Sequence, residues 1–213
     1  MATKPFTYFL PEVATEVIGC PQPLIIHALC SAAIDLCRRS LAWMYQPAVF
    51  LTETDVAEYD FTLPAGVDLV MPTAVFLNGV PIDPVALDND VDVGAPVVDL
   101  GSGTTVRYAM NENNQLVLLP APASDDIEVT LRLAVCPTRD ATVMDAVLAD
   151  TFYVQIASGA IASLCAQSSK PWTNKEVATE RAARFESGVL AASNRKLKGG
   201  TTKSLFIRPR AFS

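Results

Sequence analysis

The chain has 213 residues, of which 50% are hydrophobic and 18% charged, a composition typical of a folded globular protein rather than a disordered one. No apolar run approaches the roughly 18–20 residues of a membrane span, and the first residues lack the apolar core of a signal peptide, so we expect neither a membrane anchor nor secretion. The five cysteines form no C-x-x-C pair and are interpreted as reduced, mostly buried thiols of a protein made in the cytosol.

The net charge of −7 is distributed unevenly along the chain. Residues 1–169 carry 6 basic and 20 acidic side chains, a net charge of −14, whereas residues 170–213 carry 10 basic and 3 acidic ones, a net charge of +7. No acidic residue follows Glu186. This division favours two surfaces that meet different partners, with a solvated basic tail as the alternative.

A first helix is predicted after Pro21 and Pro23, because proline is tolerated in a first turn and apolar residues then recur at helical spacing. Gln46-Pro47 is predicted to end it, since the residue before a proline is pushed out of the α region. The shared apolar face consists of Ile25, Leu29, Ala32 or Ala33, Leu36 and Trp43.

Between residues 48 and 137 the apolar period falls to two, which predicts a small antiparallel sheet. Residues 127–135 form the longest alternating run, and residues 59–63 form a shorter one. This block holds 14 acidic and 2 basic side chains. Turns between its strands are predicted at Asn78-Gly79, which fits a type I′ hairpin, at Gly101-Ser102-Gly103 and at Asn113-Asn114.

Two more amphipathic helices are predicted between residues 138 and 198. Each start matches a capping box, at Thr142-x-x-Asp145 and at Thr173-x-x-Glu176. Lys170-Pro171 separates the two helices, and Gly199-Gly200 ends the second. Their apolar stripes are Leu148, Phe152, Ile156, Ala160 and Leu164, then Ala178, Ala182, Phe185, Val189 and Ala192. The small residues Ala157, Gly159, Ala160 and Ala162 are predicted to let another helix approach closely.

The predicted fold class is therefore α+β. Residues 1–47 and 138–198 form a helical bundle built from both ends of the chain, residues 48–137 form an inserted small antiparallel β domain, and residues 199–213 form an extended C-terminal arm. The first helix is too short to be stable alone, so we expect it to pack on the two C-terminal helices, with the β unit projecting from them.

The sequence gives little support for a catalytic site. His27 is the only histidine, Cys30 follows it on the same helix, and no nucleophile elbow is present, so a surface or core histidine is favoured over a catalytic base. The glycines offer no phosphate-binding loop, because Gly101-Ser102-Gly103 lacks the following helix and lysine. We predict no catalytic residue, no cofactor and no enzymatic activity.

Four aspartates of the β block have a spacing that partly matches a calcium-binding loop. Asp88, Asp90, Asp92 and Asp99 occupy positions 1, 3, 5 and 12 of an EF-hand-like register, but Val93 stands where glycine is needed for the sharp turn. The flanking residues have a strand-like rather than a helical pattern. We therefore predict an acidic loop and no metal site.

The C-terminal arm joins cations to a short apolar, β-prone run. A purely solvating tail is poor in apolar residues, so we predict that a partner orders this segment, for example by strand addition at a sheet edge. A C-terminus folded back on its own subunit is the alternative. The residues concerned are Lys203, Leu205, Phe206, Ile207, Arg208 and Arg210.

Several short segments together match the sequence pattern of a known protein family. The most specific are Pro137-Thr138-Arg139-Asp140-Ala141-Thr142, Tyr153, Ile156-Ala157-x-Gly159-Ala160-x-Ala162-x-Leu164, Lys170-Pro171-Trp172-Thr173 and Phe185-x-x-Gly188. Three further segments match the same pattern less specifically: Phe9-Leu10-Pro11 near the start, the predicted helix ending at Trp43, and Leu116-Val117-Leu118-Leu119-Pro120. Together they resemble the head-to-tail connector (adaptor or neck) proteins of tailed bacteriophages.

The resemblance implies a virion structural protein, synthesised in the host cytoplasm and located at the head–tail junction, that assembles into a homo-oligomeric ring, commonly of twelve subunits. Such a ring docks on the portal protein, meets a tail or nozzle protein on its other side, and involves no membrane. DNA, with one charge per ~1.7 Å of axis, passes through the lumen without specific binding, which an acidic lumen would favour.

On this interpretation the arm residues Lys203, Leu205, Phe206, Ile207, Arg208 and Arg210 contact the portal. The alternative function is a binding module in which the β domain recognises a carbohydrate or a host surface on a helical stalk. Exposed aromatic side chains on the β block would favour that alternative.

Overall fold

The computed structural model describes residues 2–85 and 106–197, without the side chains of Lys196 and Leu197. These residues form two compact units. The first holds the described residues up to Trp43 and those from Cys136 onward, and the second holds those between Met44 and Val135. The chain therefore leaves the first unit once and returns to it.

The first unit opens with strand β1 (Thr3–Pro5), a 3-10 turn (Phe6–Phe9) and helices α1 (Leu10–Val13) and α2 (Gln22–Ser40). The predicted apolar face of α2 is confirmed, since Leu29, Ala33 and Leu36 are fully buried. The predicted end at Gln46-Pro47 is wrong. Leu41 adopts a left-handed conformation (φ 51°) and its N–H donates to the carbonyl of Cys37 (2.8 Å), which ends the helix at Ser40 and leaves Trp43 outside it.

The second unit is a curled eight-stranded sheet. Its strands follow the order β2-β9-β5-β6-β7-β8-β4, with β3 also paired to β9. β6 and β7 run parallel, whereas β7 and β8 are antiparallel. The strands are β2 (Met44–Tyr45), β3 (Phe50–Leu51), β4 (Glu58–Tyr59), β5 (Val67–Leu77), β6 (Val80–Pro84), β7 (Arg107–Met110), β8 (Leu116–Leu119) and β9 (Glu128–Pro137).

The strongest strand and turn predictions are confirmed. The alternating run 127–135 forms most of β9, with Val129, Leu131 and Leu133 buried. Asn78 and Gly79 connect β5 to β6 with φ of 46° and 77°, the positive values that a type I′ turn requires. The strand predicted at residues 59–63 is mostly wrong, since only Tyr59 belongs to a strand. The turn predicted at 101–103 lies outside the described residues.

The predicted fold class is wrong. The chain is a mixed α/β protein, 39% helical and 26% strand, dominated by the eight-stranded sheet rather than by a helical bundle with a small β insert. Strands β2, β3 and β4 have two residues each, too few to show an alternating pattern, and their pairing is set by β9 and β8. The sequence pattern therefore underestimates the sheet.

After β9 the chain forms β10 (Val143–Asp145), α3 (Ala146–Thr151), α4 (Tyr153–Cys165) and α5 (Lys175–Leu197). The predicted helix start at Thr142 is wrong, because residues 143–145 pair with β1 as an antiparallel strand. Asp145 caps α3 instead, its Oδ1 accepting from the N–H of Leu148 (3.0 Å). Phe152 (φ −115°) then divides the predicted single helix into α3 and α4.

The second predicted cap is displaced by one residue. Asn174, not Thr173, precedes α5, and its side-chain oxygen accepts from the N–H of Val177 (3.2 Å). The hydroxyl of Thr173 donates to the carbonyl of Gln167 and accepts from the N–H of Lys170, which fixes the loop between α4 and α5.

Helices α2, α4 and α5 pack on one another. A Cβ atom built on Gly159 would lie 2.8 Å from Cδ2 of Phe185 and 3.0 Å from Cβ of Ala32, so glycine is required where α5 and α2 both reach α4. A Cβ on Gly188 would lie 2.2 Å from Cγ of Gln155. The predicted close approach of another helix to the small residues of α4 is confirmed.

We expect Asp145→Ala to lower the free energy of unfolding by about 1 kcal/mol, because the first turn of α3 loses its cap. Thr142→Ala is the matched control and should change it by less than about 0.5 kcal/mol, since this exposed side chain makes no hydrogen bond among the described residues. Urea denaturation of both variants measures the difference. A larger effect of Thr142→Ala would restore the capping box predicted from the sequence.

We expect Gly159→Val to lower the free energy of unfolding by about 2–3 kcal/mol, because the new side chain meets the ring of Phe185 and the backbone of α2 cannot retreat without opening the core. Ser163→Val, at an exposed position of the same helix, is the control and should stay within about 1 kcal/mol of wild type, since it loses only the hydrogen bond from its hydroxyl to the carbonyl of Ala160. Equal stabilities of the two variants would contradict the close packing at Gly159.

Candidate functional site

The residues predicted to bind a portal, Lys203, Leu205, Phe206, Ile207, Arg208 and Arg210, lie outside the described residues. The same holds for Asp88, Asp90, Asp92 and Asp99 of the predicted acidic loop. Helix α5 directly precedes the predicted arm in the sequence. The open surface between helices of the first unit forms the candidate site.

Helices α2, α4 and α5 leave an open groove between them, with a volume of about 610 Å³. The side chains along its floor mostly end at Cβ, so none fills it, and Phe185 is the one large apolar residue among those that line it. Its lining, here named the small-residue groove, includes Ala28 and Ala32 of α2, Gly159, Ala162 and Ala166 of the α4 segment, and Ala178 and Ala182 of α5.

One rim of this groove is held by an ion-pair network between α2 and α5. Arg39 donates to Asp35 (3.2 Å) one turn earlier on α2 and forms two hydrogen bonds to the carboxylate of Glu186, one of them Nη1 to Oε1 at 2.7 Å. The hydrogen bonds from Arg39 lower the pKa of Glu186 below its ordinary value. Arg39 therefore joins the two helices that border the groove.

A second concavity of about 270 Å³, here named the cationic cleft, adjoins the groove, because Ser31 and Asp35 line both. Its other walls come from His27, Cys30, Ile34 and Arg38 of α2 and from Arg139.

Arg139 reaches the cleft because its turn is fixed to α2. The thiol of Cys30 donates to the carbonyl of Thr138 (3.3 Å), and the N–H of Ala141 closes the turn on the same carbonyl (3.1 Å). The buried thiol thus positions a guanidinium group that is distant in sequence beside Arg38.

Neither cleft arginine has an acidic partner. The described residues contain four ion pairs, and neither Arg38 nor Arg139 takes part in any of them. Asp35, the carboxylate nearest to Arg38 along the helix, binds Arg39 instead. Two guanidinium groups in one concavity, without a bound carboxylate, are suited to an external anion.

The same cleft does not have the chemistry of a nucleophilic site. Burial, with smaller contributions from Asp140 and Cys136, raises the pKa of the Cys30 thiol, which disfavours the thiolate that would react. Its hydrogen goes to a backbone carbonyl rather than to exposed His27. In residues 2–85 and 106–197 no three metal-binding side chains come together, and no helix of that part is long and apolar enough to span a membrane.

The cationic cleft is a feature that the sequence does not reveal. The sequence shows Arg38 and Arg39 as neighbours but does not show which of them lacks an acidic partner. That depends on Glu186, which binds Arg39 from 147 residues away. The place of Arg139 depends on a hydrogen bond from Cys30, 108 residues away from Thr138. Only the folded first unit brings these groups together.

No protein-family model matches the chain, and no curated protein matches it in sequence. The resemblance to head-to-tail connectors therefore rests on the segments named above. Several of these segments meet in the structure, since Gly159 and Phe185 are in contact and Arg139 borders the adjoining cleft.

We expect Arg39→Gln to raise the pKa of Glu186 toward its ordinary value, because the hydrogen bonds to the carboxylate are the main cause of its depression. A depressed folded pKa stabilises the fold above the unfolded pKa, and this contribution is lost as the pH falls through the folded pKa. The variant should therefore lose this part of the acid dependence of stability. Carboxyl-carbon NMR titration measures the pKa directly.

Arg38→Gln is the matched control, since this neighbouring arginine is not bonded to Glu186. It should leave the titration of Glu186 unchanged. If both variants shifted the pKa equally, the net charge of α2 rather than the Arg39 contact would be the cause.

Proposed function

We propose that this chain is a virion structural protein, a ring-forming head-to-tail adaptor that docks on the portal and connects it to the tail while DNA passes through. The observation that carries the proposal is the open small-residue groove of the first unit, whose lining includes Gly159, Ala162 and Phe185 from the segments on which the resemblance rests. An open apolar groove between helices can receive an apolar segment of another protein.

The charge of the second unit supports the DNA-passage part of the proposal. Its described residues include ten acidic and two basic side chains, and none of the ten belongs to the four ion pairs found among the described residues. Uncompensated carboxylates repel the phosphates of DNA, so such a surface lets the duplex slide past without binding.

The arm, residues 199–213, is the proposed portal contact. Its three cations, Lys203, Arg208 and Arg210, and its apolar run Leu205-Phe206-Ile207 follow α5 without an intervening acidic residue. An apolar run between cations provides both buried area and orientation on an acidic partner surface.

The carbohydrate-binding alternative gains no support from the described part of the second unit. Sugar-binding surfaces present exposed aromatic rings, and the aromatic side chains here are buried or half-buried. They are Tyr45, Phe50, Tyr59, Phe61, Phe76 and Tyr108.

We expect deletion of residues 199–213 to leave a folded protein that no longer joins heads to tails, because the arm supplies the portal contact and the packed helices α2, α4 and α5 all precede it in the chain. Thermal unfolding checks the fold, and mixing with portal-containing heads and tails checks the joining by electron microscopy. A chain with Thr201 and Thr202 changed to alanine keeps the arm length and should join normally.

Joining at the wild-type level by the truncated chain would refute the arm contact. Wild-type protein that stays monomeric in native mass spectrometry, both alone and with the portal protein, would refute the ring itself.

A further inference from the structure

We propose that neighbouring copies in the ring are joined by one heterologous contact, in which the β3–β4 loop of the second unit (residues 52–58, including the first residue of β4) docks on the cationic cleft and small-residue groove of the next copy's first unit. This inference rests on the proposed function and names the two surfaces that would build the ring.

The receiving surface combines two kinds of chemistry. The cationic cleft holds Arg38 and Arg139 without acidic partners, and the adjoining groove is apolar and open. Ser31 and Asp35 belong to both, so one partner segment can contact the two at once. A matching segment must present carboxylates next to exposed apolar side chains.

The β3–β4 loop has this composition. Glu53, Asp55 and Glu58 are exposed and take part in none of the ion pairs among the described residues. Val56 lies between them and Leu51 directly precedes the loop, with 36% and 54% of their surfaces exposed. Carboxylates accept paired hydrogen bonds from guanidinium groups, which makes arginine the cation best suited to bind them.

The loop is held in one conformation by its own unit. Buried Thr52 exchanges backbone hydrogen bonds with residues 126 and 127, and its hydroxyl donates to the carbonyl of Ser124 (3.1 Å). The N–H of Asp55 donates to the carbonyl of Pro122 (2.9 Å), and the hydroxyl of Tyr59 donates to that of Val56 (2.7 Å). A preformed loop loses little conformational entropy on docking.

The chemistry also limits the geometry of association. A two-fold contact centred on the cleft would place the arginines of one copy against those of the other, and like charges repel, whereas a reciprocal two-fold contact would pair each cleft with the other copy's loop. A heterologous contact also pairs the free cations of the first unit with the free carboxylates of the second, and only this form repeats from copy to copy as the proposed ring requires. Repetition of a heterologous contact with closure yields a ring.

The first experiment is zero-length carbodiimide crosslinking of a chain with Arg38→Lys and Arg139→Lys, mixed from isotope-labelled and unlabelled protein. We expect mixed-label crosslinks from positions 38 or 139 to Glu53, Asp55 or Glu58. Arg184→Lys, at an exposed cation of α5 outside the cleft, is the control and should give no such crosslink. Crosslinks only within one copy, or only to other carboxylates, would overturn the inference.

The second experiment is charge reversal, read by native mass spectrometry at low and high salt. Arg38→Glu with Arg139→Glu, and separately Glu53→Lys with Asp55→Lys, should each weaken self-association about tenfold or more. The four changes combined in one chain should restore it. Circular dichroism and thermal unfolding verify that each variant is folded.

The outcomes separate this contact from the function it rests on. Rings that persist in both reversed variants, or fail to return in the combined one, overturn the contact and leave the adaptor function standing. A wild-type chain that forms no ring alone or with portal protein overturns both. Loss of portal binding with intact self-association would assign the cleft to the portal and also refute the contact.

Discussion

The packing of the first unit depends on the absence of a side chain at Gly159. Because no Cβ is present, the ring of Phe185 on α5 and the methyl group of Ala32 on α2 both approach the backbone of α4. This single position thereby brings together helices from opposite ends of the chain, separated by the whole second unit. The fully buried side chains of Leu36, Ile156 and Leu164 then supply the apolar area that stabilises the arrangement.

The same small residues have a second consequence on the surface. Alanine side chains bury little area and leave space beyond the helix contact, so the close packing at Gly159 continues outward as an open groove. Arg39 closes one rim by joining Asp35 and Glu186, and in doing so it deprives Arg38 of the nearest carboxylate. The packing of α2, α4 and α5 thus produces both the apolar groove and, next to it, an Arg38 without an acidic partner.

Local sequence patterns predict the parts of this fold that local forces determine. The alternation in β9 and the Asn78-Gly79 turn are visible in sequence because period and positive φ are properties of the segment itself. The strand at residues 143–145 is not, since its pairing with β1 replaces the helix start that Thr142 suggests. Two-residue strands β2, β3 and β4 are likewise fixed by their neighbours, which is why the fold class predicted from the pattern was wrong. The cationic cleft is even less predictable from the sequence, because it forms only when the thiol of Cys30 holds the turn that carries Arg139.

The two units differ in how their carboxylates are paired. In the first, Glu16, Asp35, Asp150 and Glu186 each bind a lysine or arginine. In the second, the described carboxylates rely on hydrogen bonds where they are satisfied at all: Asp125 accepts from Thr54, which lowers its pKa, and Asp60 accepts from Gln115. Unpaired like charges weaken a compact unit by self-repulsion, although water screens most of it. A surface that needed only to be soluble would gain stability from a few lysines among these acids. Their absence is understandable if the charge acts on something outside the unit, either DNA that must not adhere or a cationic surface of another copy.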